Sequence, residues 1–167
     1  MERIVIIGCS GSGKSTLARA MGEKLRLPVI HLDQLWWKPG WENFTKEEFD
    51  EKLDAILLES RWIIDGNFRR TLQKRLDRCD TVIYLDFSRW ACLRGVFHRV
   101  VTNYGKVRPD MGAGCPERFD WEFIKWVWNF NRENRKLNYD MLSRTRQAKV
   151  IVLKNRREVK RFMKELS

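Results

Sequence analysis

The densest concentration of chemistry lies near the start of the chain. Gly8-Cys9-Ser10-Gly11-Ser12-Gly13-Lys14-Ser15 matches the pattern G-x-x-x-x-G-K-[ST] without a gap. In such a run Gly8, Gly11 and Gly13 let successive backbone N–H groups curl around a phosphate, with Ser10 and Ser12 between them. A helix beginning beyond Gly13 would add the partial positive charge of its N-terminus. Lys14 could then bridge the β- and γ-phosphates of a nucleoside triphosphate, and the Ser15 hydroxyl could ligate Mg²⁺. Thr16 follows as the next residue of the nucleotide-binding run. The bland alternative is a glycine-rich turn. It is disfavoured because a β-branched run precedes the motif and a helical pattern follows it.

Three aspartates close predicted strands: Asp33, Asp65 and Asp86. If the strand of Asp65 lies beside the phosphate loop, its carboxylate can hold Mg²⁺ or a metal-bound water. Asp33, one strand further out, would face an acceptor as a hydroxyl-orienting group or base. A capping or turn role is the competing reading for both. It is the preferred one for Asp86, since Asp86-Phe87-Ser88 looks like an ordinary helix entry. No Asn-Lys-x-Asp guanine signature occurs, which weighs against a GTPase.

Residues 87–109 carry Arg89, Arg94, Arg99, Lys106 and Arg108 and no acid. Arginines brought down by a closing lid stabilise the charge spread over a moving phosphoryl group, although a solvated basic face would look the same. Residues 103–118 contain glycines and prolines and read as a mobile lid, hinged near Gly105 and Gly112–Gly114. Trp36, Trp37 and Trp41 flank Lys38-Pro39-Gly40 just beyond Asp33, where aromatic faces could meet a substrate. Trp121, Ile124, Val127 and Trp128 follow helical spacing and read as core. His31 reads as structural.

Strands are expected at 3–8, 29–32, 62–64, 81–85 and 149–153. Helices are expected at 15–26, after Thr45 with its capping-box partner Glu48, around Leu72 and Leu76, after Ser88, over 120–139 and after Asn155. Strands and helices that alternate in this way imply an α/β domain, a parallel sheet covered by helices on both faces. Its ligands should collect beyond the carboxyl ends of the strands.

At 167 residues, 43% hydrophobic, the chain suits a single domain. No apolar run approaches a membrane span, and no export signal is recognisable. Four cysteines without a Cys-x-x-Cys pair, and two histidines, argue against structural zinc and for reduced thiols in the cytoplasm. The net charge of +11 favours anionic partners, whether nucleotides, phosphorylated metabolites or nucleic acid. No helix-turn-helix pattern and no evident site for an obligate protein partner stand out.

Asp65-Gly66-Asn67-Phe68-Arg69 resembles the Asp-Gly-Phe-Pro-Arg segment of adenylate kinases in its first, second and last residues. The wider set His31 to Trp41, Trp62 to Asn67, Arg108-Pro109-Asp110-Met111 and Gly114-Cys115-Pro116-Glu117 resembles the bacterial topology modulation proteins of the FlaR type, over nearly the whole chain. The resemblance implies an adenylate-kinase-like P-loop domain with a five-stranded sheet of order 2-3-1-4-5. It further implies an ATP- and Mg²⁺-dependent phosphotransferase with a small nucleotide or metabolite acceptor. By the same resemblance Arg69 would grip a substrate anion, Arg99 and Arg135 would reach the transferring phosphate, and Arg156 would lie near the adenine. Adenylate-kinase relatives often enter the lid with two arginines four apart. Here Arg94 and Arg99 are five apart, with Gly95 between them. The rival readings are a nucleotide-regulated DNA-binding protein and a plain NTPase.

Overall fold

A computed structural model describes residues 1–166. The chain begins with β1 (Arg3–Gly8), whose Ile4 to Ile7 are almost wholly excluded from solvent. A strand buried on both sides must sit in the middle of a covered sheet, and β1 does. It pairs in parallel with β5 (Trp62–Asp65) on one side and β6 (Thr81–Leu85) on the other. β2 (Val29–His31) extends the sheet beyond β5, and β7 (Lys149–Leu153) extends it beyond β6. The order β2-β5-β1-β6-β7 is the expected 2-3-1-4-5 once the strands of the main sheet are counted alone.

Alternation along β1 feeds two cores. Ile4 and Ile6 pack with Leu17 and Met21 of α1 (Lys14–Leu25), Val96 of α5 (Arg89–Asn103) and Phe130 of α6 (Trp121–Arg144). Val5 and Ile7 pack on the opposite face with Phe49 and Leu53 of α3 (Lys46–Leu58), Leu72 and Leu76 of α4 (Arg69–Leu76), and Leu142. α7 (Arg156–Glu165) closes the first face through Val159 and Phe162. The Thr45–Glu48 capping box forms in both directions, at 2.7 and 3.1 Å.

The structure departs from the sequence reading in three places. The second strand stops at His31, and Leu32–Trp36 turns into a short helix, α2. The tryptophan segment is then not a plain loop. β3 (Trp37–Lys38) and β4 (Glu42–Asn43) form a small antiparallel hairpin around a 3-10 turn at Pro39–Trp41. Finally, α6 runs five residues past Tyr139, to Arg144, because Met141 and Leu142 still have core to cover.

Candidate active site

The phosphate loop joins β1 to α1, and close approach dictates its glycines. A side chain on Gly8, at φ +148°, would press on Leu85 of the neighbouring strand, 2.7 Å from its carbonyl oxygen. Gly11, at φ +79°, lies against the α5 backbone, and a Cβ there would stand 2.9 Å from the Val96 nitrogen. Gly95 meets it from the other side, which explains a glycine in mid-helix between Arg94 and Arg99. Gly13, at φ +95°, faces open space where a ligand would lie.

The Ser12 hydroxyl and N–H both turn back to the Cys9 carbonyl, at 2.7 and 3.2 Å, and brace the loop. Ser10, Gly11, Gly13, Lys14, Ser15 and Thr16 line the cavity outside, whereas Gly8 and Ser12 shape the loop from behind. α1 starts without a side-chain cap and without an acid in its first turn, so its leading N–H groups remain available to an anion. The Lys14 ammonium rests on the Cys9 carbonyl at 3.1 Å. The Cys92 thiol beside it, together with burial, pushes the Cys9 thiol up, so Cys9 is a protonated packing group.

Asp65 lies at the end of β5 beside β1, where a metal-site carboxylate was expected. It is buried and takes a 2.6 Å hydrogen bond from His31 Nδ1 on one oxygen. Among the described residues no group of three or more His, Cys, Asp or Glu side chains could enclose a cation. Mg²⁺ does not need such a cage, since it is usually held by one or two carboxylates plus phosphate oxygens and water. Ser15 and Asp65, both on the wall of the cavity outside the phosphate loop, fit that demand.

Residues 103–118 are packed against their neighbours in this structure rather than standing open. Gly105 and Glu117 pair through their backbones, and the segment packs on the tryptophan hairpin. Gly40 N–H donates to the Gly114 carbonyl at 3.1 Å, Cys115 Sγ to the Lys38 carbonyl at 3.1 Å, and Gln34 to the Pro109 carbonyl at 2.5 Å. Gly112 lies so close to Trp37 that a Cβ would stand 2.9 Å from the tryptophan Cβ.

Acids that follow the basic stretch neutralise it. Glu117 accepts from Arg99 Nε at 3.1 Å on one oxygen and sits 2.7 Å from Arg108 Nε on the other. Arg108 also donates to Asp110 at 2.7 Å. Burial, with the Arg108 charge nearby, pulls the Arg99 guanidinium down from its ordinary range, while Glu117 supports its charge. Burial pushes Asp110 up, but Arg108 and the Ser15 hydroxyl outweigh it and hold the carboxyl below the usual range.

A second cavity of about 390 Å³ opens beside the first, which is about 380 Å³. Trp36, Trp37, Trp41, Phe68, Met111, Phe123 and Trp126 form much of its wall. Six residues line both spaces: Ser10, Lys14, Asp33, Gly66, Arg99 and Arg108. Desolvation pushes the Asp33 carboxyl above the ordinary range against the pull of Lys14, and the nearby charge of Asp65 adds to the rise.

Other expected residues fall elsewhere. Arg69 begins α4, is exposed and lines neither cavity, because Phe68 takes the wall position and stacks on Phe49 at 5.1 Å. Arg135 is drawn to Asp86, donating from Nε and Nη2 at 3.1 and 2.8 Å, with Tyr139 adding 2.8 Å. Asp86 is thus a buried counter-ion rather than an ordinary helix entry. Arg156 lines the same cavity as the phosphate loop.

Sequence reasoning offered Arg108 only as one of several lid arginines and gave no role to Asp110 and Glu117, although a paired lid acid facing a basic helix was a usable signal. It also missed Arg75, which is wholly buried and donates to the carbonyls of Gly66, Asn67 and Phe68 at 2.9 to 3.3 Å. Burial pushes its guanidinium down to about 9, with the Asp65 charge opposing.

Comparison with known proteins is consistent with this layout. The chain matches no family model and no curated protein sequence. Solved structures resemble it over nearly their whole length. A Chloroflexus aurantiacus protein provisionally named a kinase aligns with TM-score 0.56 at 17% identity, over 98% of this chain and 95% of its own. Shikimate kinase from Bacteroides thetaiotaomicron aligns with TM-score 0.54 at 16% identity, over 99% and 95%. The Acinetobacter baumannii shikimate kinase, solved with shikimate, aligns with TM-score 0.62 at 13% identity, over 99% and 90%. The chain has the P-loop kinase fold. Among the described residues no helix is long and apolar enough to cross a membrane.

Proposed function

We propose that the protein transfers the γ-phosphoryl group of ATP to a hydroxyl of a small acceptor held in the aromatic chamber. The observation that carries this reading is the wall shared by the two cavities, which sets Lys14, Asp33, Arg99 and Arg108 where nucleotide and acceptor would meet. Mg²⁺, when bound, would neutralise phosphate charge, with Ser15 and Asp65 as its protein ligands or partners of its waters.

The chain's own residues do the rest. The loop N–H groups and Lys14 hold the phosphates, while Arg99 and Arg108 offset the charge that spreads over the moving group. Asp33 orients the acceptor hydroxyl and takes its proton as the new P–O bond forms. The docked 103–118 segment acts as the lid that keeps water out. Arg156 is the nucleobase-side contact. Trp36 and Trp37 contact the acceptor. Arg69 and Arg135 have no part in the transfer.

Positions of the cations weigh against the DNA-binding reading that the charge and the topology-modulation resemblance favoured. Arg70 pairs with Asp50, Lys74 with Asp54, Arg99 and Arg108 with Glu117, and Arg135 with Asp86, which breaks up a continuous basic face. The test is ADP release from Mg·ATP across a panel of hydroxyl compounds, run beside a DNA-binding titration in salt. Faster release with a phosphoester product supports phosphotransfer. Unaccelerated turnover together with DNA affinity that falls steeply with ionic strength would replace it.

A further inference from the structure

Polar groups of the aromatic chamber divide into those already committed and those left to face a ligand. Glu117 is bound to both Arg99 and Arg108, and Arg108 is bound in turn to Asp110. Asp120 is spent capping α6 through the Phe123 N–H at 3.0 Å. Arg118 lies over the Trp41 ring, 5.0 Å from its centroid, at an exposed edge. The charged groups on the chamber wall are therefore largely matched by charges of the chain itself.

Apart from Lys14, on the wall shared with the phosphate-loop cavity, and Arg118 at the rim, what remains is neutral or acidic. The Asn67 side-chain oxygen accepts from the Gly8 N–H at 3.1 Å, which leaves its amide NH₂ to donate. Asp33 is the one chamber carboxylate not spent on an arginine or a helix cap. Around these stand Trp37 and Trp126 on the chamber wall, with Trp37 edge-on to Trp41 at 5.4 Å and Trp126 stacked on Phe123 at 5.8 Å.

Resting on the phosphotransferase reading, we propose that the acceptor is an uncharged ring compound rich in hydroxyls and with one flat apolar face, a sugar or a nucleoside. It is not an acceptor bearing its own carboxylate or phosphate. Such a face covers indole well, and its hydroxyls can accept from the Asn67 amide. An anionic acceptor would compete with Glu117 and the transferring phosphoryl group for Arg99 and Arg108, and would add its charge to Glu117 and Asp33. In the transfer, the acceptor oxygen bonds to the γ-phosphorus of ATP as the bond to the β,γ-bridging oxygen breaks. ADP departs with that electron pair, and the hydroxyl proton passes to Asp33.

The test has two readouts. Saturation-transfer NMR with Mg·ADP present measures acceptor binding without turnover, and phosphorus NMR with Mg·ATP identifies product. The probes are ribose, glucose, adenosine and thymidine against AMP, thymidine monophosphate and shikimate. Binding and phosphorylation of a sugar or of a nucleoside supports the proposal and shows which of the two sources supplies the ring. A tenfold or greater preference for a monophosphate or for shikimate overturns it and leaves phosphotransfer standing. No binding and no product with any probe overturns it, and ADP release no faster than with water alone would sink the phosphotransferase reading too.

Two variants sharpen the result. W126L should raise KM for the neutral acceptor roughly tenfold with kcat nearly unchanged. E117Q removes the carboxylate charge that Arg99 and Arg108 share, leaving Arg108 to Asp110, and should shift preference toward the anionic probes. No shift in either variant would contradict the assignment.

Discussion

Gly95→Ala isolates the contact between phosphate loop and α5. In an ordinary helix interior this change removes a flexible residue and stabilises by up to about 1 kcal/mol. Here the new methyl would press on the Gly11 carbonyl, with 2.9 Å to the Gly11 carbonyl carbon and 3.0 Å to its Cα. The obstacle is backbone on both sides, so no side-chain rotation relieves it, and overpacking of this kind costs about 3 kcal/mol at the upper end of its range. The balance is a loss of about 2 kcal/mol, or roughly 4–8 °C in Tm for a domain of this size. Because the displaced atoms belong to the loop, ATP affinity should fall as well.

Thermal melts and calorimetric titration with Mg·ATP measure both. Gly105→Ala is the control. Its φ of +72° imposes strain, but nothing lies within 4 Å and it stands away from the loop. It should cost about 1 kcal/mol and leave ATP affinity alone. If Gly95→Ala were as stable as the parent and bound ATP equally well, the close-approach reasoning would be refuted.

Other expectations follow from the same geometry. Asp33→Asn should lower kcat by roughly 10²- to 10⁴-fold and abolish an acid limb of kcat/KM lying above the ordinary carboxylate range. Because burial raises the folded-state pKa of Asp33, its ionised form destabilises the fold as pH rises through that range. The same variant should therefore melt higher than the parent at neutral pH. Arg135→Ala should cost about 2 kcal/mol by stranding the buried Asp86 carboxylate while leaving kcat within a few-fold; a collapsed kcat at unchanged Tm would return Arg135 to the phosphate. Arg75→Met should cost about 3 kcal/mol and raise the acceptor KM by loosening residues 66–68, as melts and steady-state kinetics would show.

Much of this site was legible in the sequence, for a physical reason. The phosphate loop is local: eight consecutive residues carry its turn, its charge and its helix start, and the flanking apolar runs fix the strand before it and the helix after it. Sheet order and the placing of Asp65 at a strand end came from the resemblance and from strand–helix alternation, and the sheet matches them. Asp33, expected to close the second strand, instead lies in the short helix α2 because that strand stops at His31. Long-range side-chain pairing was not legible. Arg135 and Asp86 lie 49 positions apart, and Arg99 and Glu117 lie 18 apart. No local pattern says that an arginine will be captured by a buried carboxylate before it can meet a ligand. The packing of residues 103–118 was not legible, for a related reason. Glycines and prolines in 103–118 signal irregular backbone, which here is irregular and packed, as the buried Asp110, Met111, Cys115 and Glu117 show.

The account stands or falls on nucleotide capture by the loop after β1. Calorimetric titration of Mg·ATP into the parent protein and into Lys14→Ala tests this directly. The parent should bind, and loss of the ammonium should weaken binding by roughly 10- to 100-fold, the worth of a charged hydrogen bond. Equal affinity in both proteins, or no heat in either, would contradict it.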